Sequence, residues 1–541
     1  MDCGKLKKRL DKLISDRKVV EEQWDLVREY VVPYRGHFFK DVGSESGVEW
    51  KENRRVFDST AVNANNILAS SLHGSITNPS HQWFGFRFRT DELNEDSEAA
   101  QWLYDAAQIT FETLRDSNFN LHANEGYIDL TSFGTSFITR EVEVKDNEWQ
   151  ELIFRCSPLE ECYFEQDHKG NICYFYKKMK WTATQVLSKF EDKTPEKIRE
   201  RAQQQATDAD ITVIFAVYKR AGKEDSQTIL AETERPYGYK YFLYDSAEQL
   251  GDEGGYYDMP ALVMRWRSTA DSMWGNSPAM IALPDILTLN QLVELILDSL
   301  EKVVDPAVKT TERGLMSDLD LGPAGVNVVK KMDDLEAFES RARFDVAELN
   351  REKLQANIRS IFYVDQLELK DSPAMTATEV QVRYELMQRL LGPTLGRLES
   401  DFLDPLVLST FKDLVRYKQL RPMPQSMLEA EDPTFSVEYT SPMARAQKLD
   451  QANSLMQFAG AIGSLAEVKP SILDKIDEDM VATLLAEYYG VEPKVIVNSR
   501  EVKKQRKERE EMEQDMAEAQ IDEQRGKAMQ VNGGPSLSSV Q

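Results

Sequence analysis

Cysteine is scarce. Four residues in a chain of 541 are too few to staple it, so no disulfide framework is expected. Positive charge is also short, with 66 lysines and arginines against 92 acids and a formal net charge of −26. That balance excludes a protein that coats nucleic acid by neutralising phosphates along its whole surface. It leaves room for one that nucleic acid must slide past. The longest apolar segment, Ile281 to Leu297, is broken by Pro284, Asp285, Asn290, Gln291 and Glu294. It falls short of the roughly 18 consecutive apolar residues of a membrane span, so no membrane insertion is expected. The first residues, MDCGKLKKRLDKLISD, lack the apolar core of a signal peptide, which predicts synthesis and assembly in the cytosol. A phosphate-cradling GxxxxGK[ST] loop would need glycine where Val217 stands, and Lys223 is followed by Glu224. There is no HExxH or GxSxG, and the five histidines (His37, His73, His81, His122, His168) are scattered.

What is present is enough to fold. With 41% hydrophobic residues and eight tryptophans, burial can offset the entropy of ordering the chain. Leu6, Leu10, Leu13, Ile14, Val20, Trp24, Val27 and Val31 recur at helical spacing and predict a helix over 5–31, ended by Pro33. Further helices are predicted over about 59–72 and 97–114, with a strand over 83–89 between them. From 136 to 180 the pattern is strand-like, with hairpin-turn chemistry at 167–171, and strand signal returns at 211–218 and 239–244. The first 275 residues therefore read as one α+β body.

The character then changes. Ile286, Leu289, Val293, Ile296, Leu300 and Val303 mark one face of a helix over 281–303, while Gln291, Glu294, Asp298 and Glu301 fall on another. Its 23 residues would span about 34 Å. A Gly, Pro and Val-containing segment to about 343 reads as short strands and turns, and a second long helix follows over 344–362. The result is a helical hairpin with a small β segment at its far end. After a short loop, Thr376-Ala377-Thr378-Glu379 is a capping box that starts another helix, with kinks or breaks expected at Gly392-Pro393 and Pro405. Helices are also predicted from Pro442, over 476–489 and beyond 498, before a disordered end.

Cys156, Cys162, His168 and Cys173 are zinc-ligand types in one short span but lack a CxxC knuckle, and they read better as small strand residues and a turn histidine. The acid pairs Glu160-Glu161 and Asp333-Asp334 are the kind of neighbours that chance supplies in so acidic a chain. Lys503, Lys504, Arg506, Lys507 and Arg509 interleave with Glu501, Glu508, Glu510 and Glu511, as on a solvated helix face. No catalytic residue, metal ligand or cofactor is assigned.

Five blocks carry a likeness in order: VFDSTAVNANNILASSLHGSITNPSHQWF, SNFNLHANEGYIDLTSFGTSFI, VMRWRSTADSMWGNSPA, MTATEVQVRYELMQRLLGPTLGRLESDFLDPLV and YTSPMARAQ. The chain resembles the portal, or head-to-tail connector, proteins of short-tailed bacteriophages over most of 1–512. The resemblance implies an α+β portal-type fold: wing (1–275), first stem helix (276–303), clip (304–343), second stem helix (344–363) and tunnel loop (364–375). A kinked wing helix and return (376–440), an α-helical crown (441–497) and a C-terminal barrel helix with tail (498–541) complete it. It also implies a ring, usually of twelve copies, at one capsid vertex of the virion, through which double-stranded DNA is packaged and ejected. Terminase, a tail adaptor and the major capsid or scaffold protein are the implied partners.

On that reading Glu294, Asp298 and Glu301, with Lys370 and Met375 of the tunnel loop, are channel-lining candidates. The acidic stripe either faces the lumen or pairs with Arg351, Lys353 or Arg359 of a neighbouring stem helix. Lys309, Arg313, Lys330, Lys331, Arg341 and Arg343 are candidates for contact with terminase or tail. Two other readings stay open: a homo-oligomeric virion scaffold or tail component without a DNA channel, and an enzyme with a non-motif site.

Overall fold

In the computed structural model, the described residues are 2–35, 56–90, 93–94, 96–145, 148–203, 211–223, 228–269, 272–304, 308–310, 328–329, 331, 335–337, 344–367, 391–429, 434–439, 442–466, 478–489, 491, 502, 506–509 and 512. The fold mixes helix and sheet in two compact units, Met1–His81 with Glu112–Gln419, and Gln82–Phe111 with Leu420–Gln541.

The first unit is built on a five-stranded antiparallel meander of β3 (Cys162–Gln166), β4 (Ile172–Trp181), β5 (Ile211–Lys219), β6 (Tyr237–Leu243) and β7 (Gln249–Tyr256). The sequence ITVIFAVYK of β5 is a continuous apolar run because both sheet faces are covered. On one face Ile214, Ala216, Tyr218 and Phe242 pack against Cys3, Leu6, Leu10 and Leu13 of helix α1 (Cys3–Val31). On the other, Val213, Ile211 and Leu250 pack against α4 (Ala183–Phe190) and α5 (Glu196–Gln203) through Val186 and Ile198. Helix α4 opens with a capping box, Thr182 with Gln185. The β3–β4 turn forms at 167–171 as the sequence predicts: the Asp167 carboxylate accepts from the Lys169 and Asn171 backbone, and Gly170 takes φ +86°.

A second sheet sets β1 (Thr135–Lys145) between β2 (Glu148–Ser157) and β8 (Ala261–Arg265). Against it lies α3 (Phe119–Phe133), and α2 (Thr60–Ile76) packs in turn on α3. The fully buried Arg17 of α1 donates to the carbonyls of Leu159, Glu160 and Cys162 and to the Tyr163 hydroxyl, so one side chain serves three backbone acceptors where the chain enters β3. Trp24 is equally buried, its indole donating to the Phe133 carbonyl and standing edge-on to Trp274 at 5.1 Å.

From this body runs α6 (Pro278–Val304), followed by a two-stranded antiparallel ladder of β9 (Val308–Thr310) and β10 (Leu335–Ala337), and then α7 (Phe344–Ile361), which packs on α6. These bounds match the helical hairpin read from periodicity. One expectation is corrected. Although polar residues interrupt it, α6 holds an 18-residue window of mean hydropathy 1.5, so by length and composition it is apolar enough to cross a membrane. The density of Leu and Ile outweighs Asn290, Gln291 and Glu294, and 39% of that window is buried inside the protein.

The chain is helical at 391–398, through Gly392 and Pro393, and continues through a π-helical turn, Glu399–Leu403, into α8 (Asp404–Arg416). Of the kinks or breaks expected at Gly392-Pro393 and Pro405, neither is a break: the helix runs through Gly392-Pro393, and a wide turn precedes Pro405. Proline has no N–H for the carbonyl four residues back, and a π turn absorbs that lost bond without ending the helix. The capping box at Thr376 lies outside the described residues.

In the second unit the strand Phe84–Phe88 pairs antiparallel with Phe435–Tyr439, so residues read as part of a 1–275 body join the C-terminal part of the chain. Helices Pro442–Ala466 and Glu478–Tyr489 follow, close to their predicted bounds.

Candidate functional site

The element that positions the candidate residues is the α6–α7 hairpin, and its base is set by short-range chemistry. Ser277 donates to the Ser132 carbonyl at 2.6 Å and accepts from the Met280 N–H at 3.0 Å, fixing the start of α6 against α3. Residues 57–58 then bridge the two long helices. The Phe57 N–H donates to Asn290 Oδ1 of α6 at 2.7 Å, and Gln355 of α7 donates to Asp58 Oδ2 at 2.7 Å. Asp58 Oδ1 also accepts from the Thr60 N–H at the start of α2. Sequence reading missed Asp58, Asn290 and Gln355. They are common polar residues with no spacing signature, and only the juxtaposition of three distant segments shows their role.

Burial along α6 changes abruptly. Ala279, Met280, Ala282, Leu283, Ile286, Leu289 and Asn290 are buried, whereas Leu295, Leu297, Leu300, Val303 and Val304 are 42–84% exposed. Val346 and Leu349 of α7 are exposed too. Glu294, Asp298 and Glu301 are exposed on the same distal half. Of the basic candidates on α7, Arg351 pairs with Glu348 one turn away, Arg359 lies 3.9 Å from Asp365, and Lys353 is exposed. Among the described residues no ion pair joins the three acids to these three bases. Lys309 lies in β9, and Lys331 is exposed. Arg313, Lys330, Arg341, Arg343, Lys370 and Met375 lie outside the described residues.

Two residues past the end of α7 stands Tyr363, a non-glycine residue at φ +59° whose hydroxyl accepts from Arg267 at 3.2 Å. Left-handed backbone at such a residue costs about 1–2 kcal/mol, so the chain direction leaving α7 is held against strain. Arg265 of β8 grips Asp401 of the π turn through Nε and Nη2 at 2.9 and 2.8 Å. Arg140 of β1 and Arg416 both donate to Asp413 at 2.5 Å, and all three side chains are buried.

The electrostatics concern stability more than chemistry. Burial pushes the Asp129 carboxyl up to about 6 despite its pair with Arg35, and burial raises Glu160 beside it to about 7. Cys156, Cys162 and Cys173 fall in β2, β3 and β4, and His168 sits exposed in the 167–171 turn. Burial raises all three thiols, which opposes the thiolate form that a nucleophile or metal ligand needs. Among the described residues, no group of three or more metal-ligating side chains gathers. Asp333 and Asp334 lie outside the described residues.

The blocks that carry the resemblance meet in space. Gly134 and Gly275 touch, Asn65 donates to Ser132, and Ser277 binds the Ser132 carbonyl. The fold class is therefore a mixed body bearing a long helical hairpin, and the sequence comparison agrees with it. The pattern of bacteriophage head to tail connecting proteins matches residues 4–497, and the chain belongs to that family. It is similar to the probable portal protein of Bordetella phage BPP-1, at 27% identity over 95% of this chain and 92% of that one. It is also similar to the portal protein of Salmonella phage epsilon15, at 24% identity over 93% and 90%. The portal protein of Escherichia phage T7 is 23% identical over 56% of each. Superposition on a chain from the virion of a native gene transfer agent particle covers 83% of this chain and 96% of that one, at TM-score 0.37 and 9% identity.

Proposed function

We propose that this chain is the portal subunit of a tailed phage. It forms a ring at one capsid vertex, conducts double-stranded DNA during packaging and ejection, and docks terminase and then the tail. The observation that carries the reading is the match to the connector family over 4–497, with portal proteins as relatives across more than nine-tenths of the chain. The exposed distal half of α6 supports it, because a helix that leaves leucines and valines in water calls for a neighbouring surface. In a closed ring that surface is the next copy. The role is structural, and the motor that consumes nucleotide is a separate protein.

In this reading α6 and α7 are the stem, β9 and β10 belong to the clip, 364–375 is the tunnel loop, and the helix through the π turn is the kinked wing helix. The helices from Pro442 onward form the crown and lead to the C-terminal barrel helix. Glu294, Asp298 and Glu301 face the lumen, where like charge keeps DNA from sticking, and each copy adds a net charge of −26 to the ring. Lys370 and Met375 stand at the loop nearest the DNA. Lys309, Arg313, Lys330, Lys331, Arg341 and Arg343 present cations to terminase or tail adaptor; Arg351, Lys353 and Arg359 are the partners of the acidic stripe in the alternative arrangement, in which it pairs with a neighbouring stem helix instead of facing the lumen.

The test is removal of the gene product during infection. Capsid shells without packaged genome are the expected outcome. Heads filled with DNA but lacking tails would instead assign the chain to a tail component without a channel.

A further inference from the structure

A cleft of about 310 Å³ opens beside the π turn, and its described lining carries two cations in a chain that is acidic as a whole. Arg265 and Arg397 line it with Ser268, Thr269, Ser272 and Gln166, and no described lining residue carries a carboxylate. Asp271 lies outside the described residues. Arg265 is only 8% exposed, and its Nε and Nη2 are committed to Asp401. Arg397 donates from Nη1 to the Ser268 hydroxyl and stands 3.9 Å from the same Asp401 oxygen. Among the described residues, Nη1 of Arg265 and both Nε and Nη2 of Arg397 have no hydrogen-bond partner. Among the described residues one carboxylate therefore serves two guanidinium groups, and the cleft keeps unspent donors.

We propose that this cleft binds a phosphate oxyanion, held by Nη1 of Arg265 and the Nε and Nη2 fork of Arg397, with the Thr269 hydroxyl as a further donor. Guanidinium forks match the spacing of phosphate oxygens, and a partly desolvated pair of them attracts a multiply charged anion more strongly than chloride. The anion shares both arginines with Asp401, so its binding is coupled to the π turn that carries Asp401. The inference does not rest on the portal reading. Inorganic phosphate and the backbone phosphate of a DNA duplex are two sources of the same group.

The test is calorimetric titration of the full-length protein with inorganic phosphate at constant ionic strength, with chloride as the balancing ion. A dissociation constant near 1 mM is expected. Arg397→Gln should weaken binding about tenfold or more, and Arg397→Lys, which keeps the charge but loses the fork, should fall between. Asp401→Asn removes the competing carboxylate and should tighten binding several-fold, a gain that misfolding could not produce. A duplex oligonucleotide that displaces phosphate marks the DNA backbone as a source, and one that does not marks the free ion; either supports the site. Equal binding by wild type and Arg397→Gln, or no heat above the chloride control up to about 10 mM phosphate, would overturn the proposal.

Discussion

Gly134 and Gly275 lie face to face: a Cβ on Gly134 would sit 2.3 Å from the Gly275 carbonyl oxygen, and one on Gly275 would sit 1.9 Å from that of Gly134. Gly134 also ends α3 at φ +76°, its N–H returning to the Leu130 carbonyl. Backbone meets backbone here, so no side chain can move aside. Gly134→Ala or Gly275→Ala is expected to cost about 2 kcal/mol or more, read as a lower urea midpoint at unchanged slope. An unchanged midpoint would show that the two segments do not meet this closely.

The buried Arg140–Asp413–Arg416 triad gives an ordered pair of outcomes. Asp413→Asn leaves two buried guanidinium groups without their counter-ion and should cost about 3–5 kcal/mol. Arg140→Met leaves Asp413 paired with Arg416 and removes a buried Nε that has no partner, so its cost should be smaller, about 2 kcal/mol. Denaturation midpoints compare the two directly, and the reverse order would refute the assignment of Asp413 as the shared counter-ion.

Two carboxyls work in opposite directions with pH. Asp129, raised by burial to about 6, contributes stability that is full below its ordinary value near 4 and is lost as pH rises through about 6. Glu253 also suffers burial, but hydrogen bonds from Arg220, Tyr218 and Lys240 outweigh it and hold the carboxyl down at about 2. Its contribution is present above about 4.5 and is lost as pH falls toward about 2. Asp129→Asn should therefore flatten the decline in stability between about pH 4 and 7, and Glu253→Gln the decline on the acid side. Melting profiles across pH that leave either limb unaltered would contradict the corresponding environment.

Two variants of the α6–α7 hairpin would separate assembly from transport. Leu295→Asp with Leu349→Asp changes residues 55% and 52% exposed, so the subunit should keep its circular dichroism and melting point while losing the ring. Glu294→Gln with Asp298→Gln should leave rings intact and change the rate of packaging or ejection. Loss of the ring in that acidic-stripe variant would assign the two acids to pairing between copies instead of to the lumen.

Sequence periodicity located α1, β5, the α6–α7 hairpin and the β3–β4 turn because each has a complete local signature. It missed α3, where Gly126 looks like a breaker. There a Cβ would sit 2.6 Å from the Met264 side chain, so glycine allows helix and sheet to approach closely. It missed β7 for a similar reason: Gly254 makes room for the Tyr239 ring, whose Cζ would lie 2.2 Å from an added Cβ. The pairing of Phe84–Phe88 with Phe435–Tyr439 joins segments about 350 residues apart, beyond any local pattern. At the candidate site the acidic stripe was legible from its helical spacing. The bridge from residues 57–58 to Asn290 of α6 and Gln355 of α7 was not, because single hydrogen bonds between distant segments leave no period in a sequence.

The most direct measurement is the mass of the purified protein by light scattering, with negative-stain images of the same fraction and, if it is monomeric, of the protein mixed with its capsid and scaffold proteins. A species of about twelve times the 62.0 kDa subunit, seen end-on as a ring with a central hole, is the expected result. A subunit that stays monomeric even with capsid and scaffold proteins present would contradict the ring and the channel with it.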